Sequence, residues 1–248
     1  MIRAVLFDLD DTLFDHRYCA REALDAIRRD HDALATLEPF ELDRRHAAIL
    51  ETLHLRVLAK EISLDAARQE RFRRLLEGAG VSLEQLQDGS VARRAATAYR
   101  TRYLQSWREV PGARSLLCAL KERVRIGIVS NNLTLEQHEK LRFCGFDAFL
   151  DAIVISEEAG AAKPDPVIFQ IALERLGVDA NEAVMIGDAW GTDIAGARAA
   201  GLRAIWFNPS GISRPEPWKG VDEIRSLEPV SEVISLILRG DDPSEPRP

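Results

Sequence analysis

Three carboxylates crowd into four positions near the start of the chain, in Ala4-Val5-Leu6-Phe7-Asp8-Leu9-Asp10-Asp11-Thr12-Leu13. A buried strand cannot carry that charge, so the acids must sit just past the end of the apolar run that precedes them. Like charges this close raise one another's pKa. A divalent cation removes that penalty, and a phosphoryl-transfer site supplies both the cation and a use for a carboxylate nucleophile.

Polar residues recur where later apolar runs end. The second run closes as Ile128-Val129-Ser130-Asn131, and the third leads into a loop with Lys163-Pro164-Asp165-Pro166. The fourth closes as Met185-Ile186-Gly187-Asp188, with Asp193 five residues further on. Ligands of open α/β sheets bind outside the carboxyl ends of the strands. Asp8, Asp10, Ser130, Lys163, Asp188 and Asp193 are therefore expected at one sheet edge. Each alone reads as a turn, cap or loop residue; the ordered set carries the chemistry.

A division of labour follows from position. Asp8, nearest its strand, is the best-fixed carboxylate and the natural nucleophile, giving an aspartyl-phosphate. Asp10 is placed to protonate the leaving oxygen and then to activate water. Ser130, with the Asn131 backbone N–H, can donate to a phosphoryl oxygen, and Lys163 can neutralise charge on nucleophile and phosphoryl group. Asp8, Asp10 (through its carbonyl), Asp188 and Asp193 form an oxygen-only set that suits Mg²⁺. Asp11 and Thr12 are assigned to the turn, Thr12 hydrogen-bonding within it. Phe14, His16 and Arg17 follow the loop as candidate substrate contacts: Phe14 to stack on a planar base, Arg17 to pair with an acidic group. Trp190 lies inside the Asp188–Asp193 loop.

The elements that must position these groups are legible in the apolar pattern. Strands are predicted over 2–7, 124–129, 152–155, 183–186 and 204–207, alternating with helices over 113–122, 135–143, 166–176 and 193–200; a last helix covers 230–238. That alternation implies right-handed crossovers and a parallel sheet, an α/β fold. Residues 15–108 contain no convincing strand. Apolar positions recur there at helical spacing (Ala20, Ala23, Leu24, Ile27; Ile49, Leu53, Val57), predicting a bundle of four or five helices. One helix starts near Ser63 without an acidic capping partner, Gly78 and Gly80 stop it, and Ser82-x-x-Gln85 restarts the pattern. The expected domains are a catalytic core of 1–14 and 109–240, a helical cap of 15–108 and a disordered tail of 241–248.

The 248 residues carry a net charge of −7, which argues against a nucleic-acid polymer as partner. Residues 15–108 hold 17 basic and 15 acidic side chains against 16 and 25 elsewhere; a mildly basic cap over an acidic floor suits a phosphorylated substrate. No apolar run reaches the roughly 20 residues of a membrane helix, and Asp8, Asp10 and Asp11 interrupt what would be a leader. Cys19, Cys118 and Cys144 lack CxxC spacing and read as reduced thiols. The expectation is a cytoplasmic monomer or homodimer acting on a small phosphorylated metabolite.

Asp8-Leu9-Asp10-Asp11-Thr12, Ser130, Lys163 and Gly187-Asp188 with Asp193 together resemble the four motifs of the haloacid dehalogenase superfamily, over residues 1 to about 209. The resemblance implies a Rossmannoid doubly wound core with a helical cap of the first type, inserted between the first two motifs. It implies the same roles for the residues named above. True dehalogenases of this build lack an acid two residues after the nucleophile and lack the Gly-Asp motif, so Asp10 and Asp188 favour the phosphatase branch. The stretch from Ser156 to Asp165 is similar to that of pyrimidine 5′-nucleotidases and N-acylneuraminate-9-phosphatases. Three alternatives stay open at this point: a 2-haloacid dehalogenase, a phosphomutase, and a non-enzymatic phosphoacceptor or binding module.

Overall fold

The run before Asp8 is strand β1 (Ala4–Phe7), with all four residues buried. A computed structural model describes residues 1–215 and 220–239; the predicted tail at 241–248 lies outside the described residues. The chain divides into two compact units. One comprises Met1–Asp15 and the described residues from Arg108 on; the other is His16–Trp107.

The second unit is helical: α1 (His16–Asp30), α2 (Asp32–Ala35), α3 (Pro39–Leu58), α4 (Leu64–Gly78), α5 (Leu83–Leu86) and α6 (Ser90–Gln105). Six helices stand where four or five were expected, because α2 and α5 are single turns. A capping box between Ser82 and Gln85 starts α5. Ser63 caps α4 by accepting from the Ala66 N–H at 3.2 Å, with no acidic partner needed. The amphipathic stripe of α1 buries Cys19, Ala20, Ala23, Leu24, Ala26 and Ile27, and α1 packs on α6, α6 on α4 and α4 on α3. The interior is not wholly apolar. The Arg71 guanidinium lies 4.9 Å from the Tyr99 ring centre and 5.4 Å from that of Phe72, and His46 lies 5.0 Å from Tyr99. Burial, helped by Arg71 and His16, holds His46 well below its ordinary pKa, so it packs as a neutral ring.

The first unit continues with α7 (Ala113–Lys121), β2 (Arg125–Ser130), α8 (Thr134–Cys144), β3 (Ala152–Ile155), α9 (Ser156–Ala159), α10 (Pro166–Leu176), β4 (Ala183–Gly187), α11 (Ala195–Ala199), β5 (Arg203–Phe207), β6 (Asp222–Ile224) and α12 (Val230–Leu238). The six strands lie in the order β3-β2-β1-β4-β5-β6, all pairs parallel. Side chains of a strand alternate between faces. Ala4 and Leu6 join Met185 and Val154 in a core with Ile168, Phe169, Ala172 and Leu176 of α10 and Ala197 of α11. Val5 and Phe7 point to the opposite face. There α7 packs on β2 and is itself covered by α12.

Besides the single-turn helices α2, α5 and α9, two features differ from the expected elements. The helix predicted over 193–200 is a π-helical turn over Trp190–Ile194 followed by the short α11. The edge strand β6 was missed because Asp222-Glu223-Ile224 is polar and only half-buried; pairing with β5 and an Arg203–Asp222 ion pair at 2.6 Å hold it. Among the described residues no helix is long and apolar enough to cross a membrane.

Truncating a fully buried residue of the central strand is expected to cost far more than truncating an exposed one. Leu6→Ala should lower the unfolding free energy by about 2–5 kcal/mol. Leu55→Ala, at a position 63% exposed, should stay within about 0.5 kcal/mol of the parent. Urea titration followed by circular dichroism reads both.

Candidate active site

The sheet order reverses direction beside β1. From β1 the chain runs outward through β2 and β3, then returns to place β4 on the other side. Such a switch point opens a crevice at the carboxyl ends of the strands. Phe7 is level with Ile128 and with Ile186, so the groups that follow β1, β2 and β4 leave the sheet within a step or two of one another. The Asp8 N–H donates to the Ile186 carbonyl at 2.9 Å, tying the end of β1 to β4. The chain then turns tightly. The Leu9 carbonyl accepts from the N–H groups of Leu13 (3.0 Å) and Phe14 (2.9 Å), and the Asp11 N–H donates to the Phe14 carbonyl at 2.7 Å. Asp11 sits at φ +62°, a left-handed conformation that Asp tolerates better than most residues. The Thr12 N–H donates to the same Leu9 carbonyl at 3.4 Å, the hydrogen bond within the turn that was expected, while its buried hydroxyl has no hydrogen-bond partner.

Carboxylate oxygens of Asp8, Asp188 and Asp193 come within 4.8 Å of one another. One ammonium serves two of them: Lys163 Nζ lies 2.6 Å from Asp8 and 2.7 Å from Asp193. Lys163 and Asp193 are 5% and 1% exposed, so these charges act in a low-dielectric setting. Burial pushes the Asp8 carboxyl well above its usual range; Lys163 opposes this, while Asp193 and Asp188 add to it. Burial alone would lower the Lys163 pKa, but Asp193 and Asp8 outweigh it and hold the ammonium above its ordinary range.

The loop that brings Lys163 to Asp8 is bracketed by Asn131. Its Nδ2 donates to the Lys163 carbonyl and its Oδ1 accepts from the Lys163 N–H, both at 2.8 Å. Asp165 then caps α10 by accepting from the Val167 N–H at 2.9 Å. Asp193 is placed by the π-helical turn, its Oδ2 accepting from the Ala189 N–H at 2.9 Å. Gly187 makes room for it: a Cβ at that position would fall 2.3 Å from Asp193 Oδ2. Asp188 is half-buried, and its carbonyl accepts from Trp206 Nε1 at 2.9 Å. Trp190 packs edge-on against Trp206, ring centres 4.9 Å apart.

Asp10 stands outside the three-carboxylate cluster, in a setting of its own. Its Oδ1 accepts from Lys140 Nζ at 2.6 Å, and its Oδ2 from Gln137 Nε2 at 3.0 Å and Asn132 Nδ2 at 3.1 Å. Gln137 Nε2 also donates to Ser130 Oγ at 2.6 Å. Asn132, Gln137 and Lys140 were not picked out in the sequence. The available signal was weak: two polar residues three apart on α8, placed one turn beyond a strand end that already carried Ser130.

Asp8, Asp188, Asp193 and Lys163 are thus directly clustered, and Asp10 and Ser130 are joined through Gln137. The Asn131 side chain is engaged with the Lys163 backbone. Phe14 departs from the expected stacking role. It is fully buried, and Lys140 Nζ lies 5.2 Å from its ring centre, so that face of the ring is already taken. His16 and Arg17 belong to the helical unit, where His16 Nδ1 lies 2.7 Å from the Tyr103 hydroxyl and Arg17 is exposed on α1.

The acidic cluster fits a divalent cation. Three carboxylates stand close together with Lys163 paired to two of them, and the neighbouring negative charge adds to the burial that lifts Asp8. Asp8 and Asp188 present oxygen donors, with Asp193 beside them, and a hard cation such as Mg²⁺ prefers such donors.

A haloacid dehalogenase-like hydrolase family model matches residues 2–201. The chain belongs to that family and is a hydrolase. It is 36% identical to a ribulose-1,5-bisphosphate 5-phosphatase of Halopiger xanaduensis, covering 85% of this chain and 86% of the relative. It is 29% identical to the pyrimidine 5′-nucleotidase YjjG of Escherichia coli, covering 93% and 96%. Among solved structures, the HAD-hydrolase YfnB of Bacillus subtilis, bound to magnesium, superposes with a TM-score of 0.72 at 26% identity, covering 94% and 98% of the two chains.

The contact between Gly187 and Asp193 is testable without any assay of turnover. Gly187→Ala should destabilise the protein by about 1–3 kcal/mol through overpacking. Gly191→Ala, where a Cβ would meet nothing within 4 Å, should change stability by no more than about 0.5 kcal/mol. Thermal unfolding distinguishes the two.

Proposed function

We propose that the chain is a Mg²⁺-dependent phosphomonoesterase of the cytoplasm, acting on a small phosphorylated metabolite through an aspartyl-phosphate. The reading rests above all on the Asp8 carboxylate, fixed at a strand end by buried Lys163 with Asp188 and Asp193 beside it. Asp8 attacks phosphorus, and the bond from phosphorus to the ester oxygen breaks. Asp10 gives its proton to that oxygen, and the alcohol leaves. Water then attacks the aspartyl-phosphate, Asp10 takes its proton, and inorganic phosphate departs with Asp8 restored. Ser130 and Lys163 donate to the phosphoryl oxygens as charge redistributes. Mg²⁺, held by Asp8, Asp188 and the Asp10 carbonyl with Asp193 in support, would neutralise phosphoryl charge. YfnB, a relative of similar fold, is bound to magnesium. Phosphate monoesters are among the slowest uncatalysed substrates, with enzymatic accelerations of up to about 10²¹ known, which accounts for so many charged groups in one place.

The dehalogenase alternative is disfavoured by Asp10, because halide leaves without a proton and needs no acid. The named relatives include phosphatases of a sugar bisphosphate and of pyrimidine nucleotides, and the substrate class is accordingly a sugar phosphate or a nucleoside monophosphate.

Hydrolysis of p-nitrophenyl phosphate should require Mg²⁺, stop on addition of EDTA and vanish in Asp8→Asn. Asp10→Asn should lower kcat by about 10²–10⁴-fold, the usual worth of a positioned acid–base group. Halide release from chloroacetate that survives EDTA would overturn the proposal. Comparing kcat/KM across nucleotides and sugar phosphates assigns the substrate class.

A further inference from the structure

Helix α8 buries two polar side chains. Gln137 is fully buried and Lys140 is 3% exposed, and both reach towards groups at the ends of β1 and β2. A buried ammonium is retained where it is paired, and Lys140 is paired with Asp10 at 2.6 Å. Its ammonium also stands over the buried Phe14 ring, which limits where it can move. The Gln137 amide spends its nitrogen on two acceptors at once, Asp10 Oδ2 and Ser130 Oγ. Its own Oε1 is buried without a partner. Reversing the amide would satisfy Ser130 but set a carbonyl oxygen against the Asp10 carboxylate. The oxygen that Asp10 presents to Gln137 therefore fixes which way the amide points. Because Ser130 Oγ accepts from Gln137, its own O–H is left to donate elsewhere.

We propose that Lys140 and Gln137 are positioning residues for the acid–base step, acting through Asp10 and Ser130; this rests on the phosphomonoesterase reading above. When Asp10 gives its proton to the departing oxygen, negative charge appears on a carboxylate already faced by donors from Lys140, Gln137 and Asn132. Donors aimed in advance at a site of developing charge favour the transition state over the ground state. The same network turns the Ser130 hydroxyl hydrogen towards the phosphoryl group. The arrangement serves esters whose alcohol must be protonated to leave, such as those of sugar hydroxyls.

Leaving-group dependence tests this. p-Nitrophenolate departs without a proton at neutral pH, whereas the alkoxide of glycerol phosphate does not. The two esters are compared by kcat/KM, which reports steps up to departure of the alcohol and not the later hydrolysis. In Lys140→Met, kcat/KM for p-nitrophenyl phosphate should fall several-fold and that for glycerol phosphate by about 10²-fold or more. Lys140→Arg, which keeps the cation, should restore most of the loss. Gln137→Glu, which sets a like charge against Asp10 at unchanged size, should show the same selective loss and serves if Lys140→Met folds poorly. An equal fall on both esters, or none, overturns the positioning role. A parent protein that hydrolyses neither ester overturns the phosphomonoesterase reading instead.

Discussion

The site depends on one buried ammonium shared between two buried carboxylates. Lys163 is held 2.6 Å from Asp8 and 2.7 Å from Asp193, and removing one member of such a set leaves an uncompensated charge in a low-dielectric interior. The surroundings are built to prevent that. Asn131 grips the backbone of Lys163 from both sides. The residue after it, Pro164, packs so closely on α11 that a Cβ at Gly196 would lie 2.8 Å from Pro164 Cα. Gly187 leaves the volume that the Asp193 carboxylate occupies. Backbone geometry thus helps to hold the charges where they attract one another.

The topology explains why four separated stretches supply the site. Neighbouring parallel strands end level with one another, and the order reverses beside β1. The loops after β1 and β4 open away from each other there, and the crevice between them receives groups from the ends of both. The helical insert and the long connection after β3 begin at this same edge, which leaves the strand ends free to carry polar residues without interrupting the sheet.

Strand-end residues are legible in the sequence because a polar side chain stands out when it terminates an apolar run. Asp8, Ser130 and Asp188 all announce themselves in that way, and the alternation of the flanking segments places them on a parallel sheet. Residues on helices carry no such contrast. Gln137 and Lys140 look like part of a solvated helix face until the fold turns that face to Asp10. Phe14 misled for the complementary reason: an aromatic beside a catalytic loop suggests a stacking platform, whereas the tight turn around Leu9 and Asp11 draws it fully inside. The π-helical turn at Trp190–Ile194 begins three residues before the helix expected from Asp193, because its wider turn leaves the local composition unchanged.

Asp8 and Asp10 are two residues apart yet live in different electrostatic surroundings, and the difference suits the two tasks proposed for them. Asp8 backs onto Lys163 and shares its space with two further carboxylates. Asp10 backs onto Lys140 and two amides, with a quarter of its side chain open to solvent. A nucleophile must keep its charge, stay still and be shielded from water. An acid–base group must give up a proton and take one back in each turnover, so it needs donors that steady its charged form and room for the alcohol and the water beside it. Pairs of titratable groups separated in this way are how one fold runs two kinds of chemistry at one pH. The β-strand supplies Asp8 rigidly at its end, and the turn that follows carries Asp10 away from the crowded cluster towards α8. The two-residue spacing is therefore what sets the two carboxylates against different lysines.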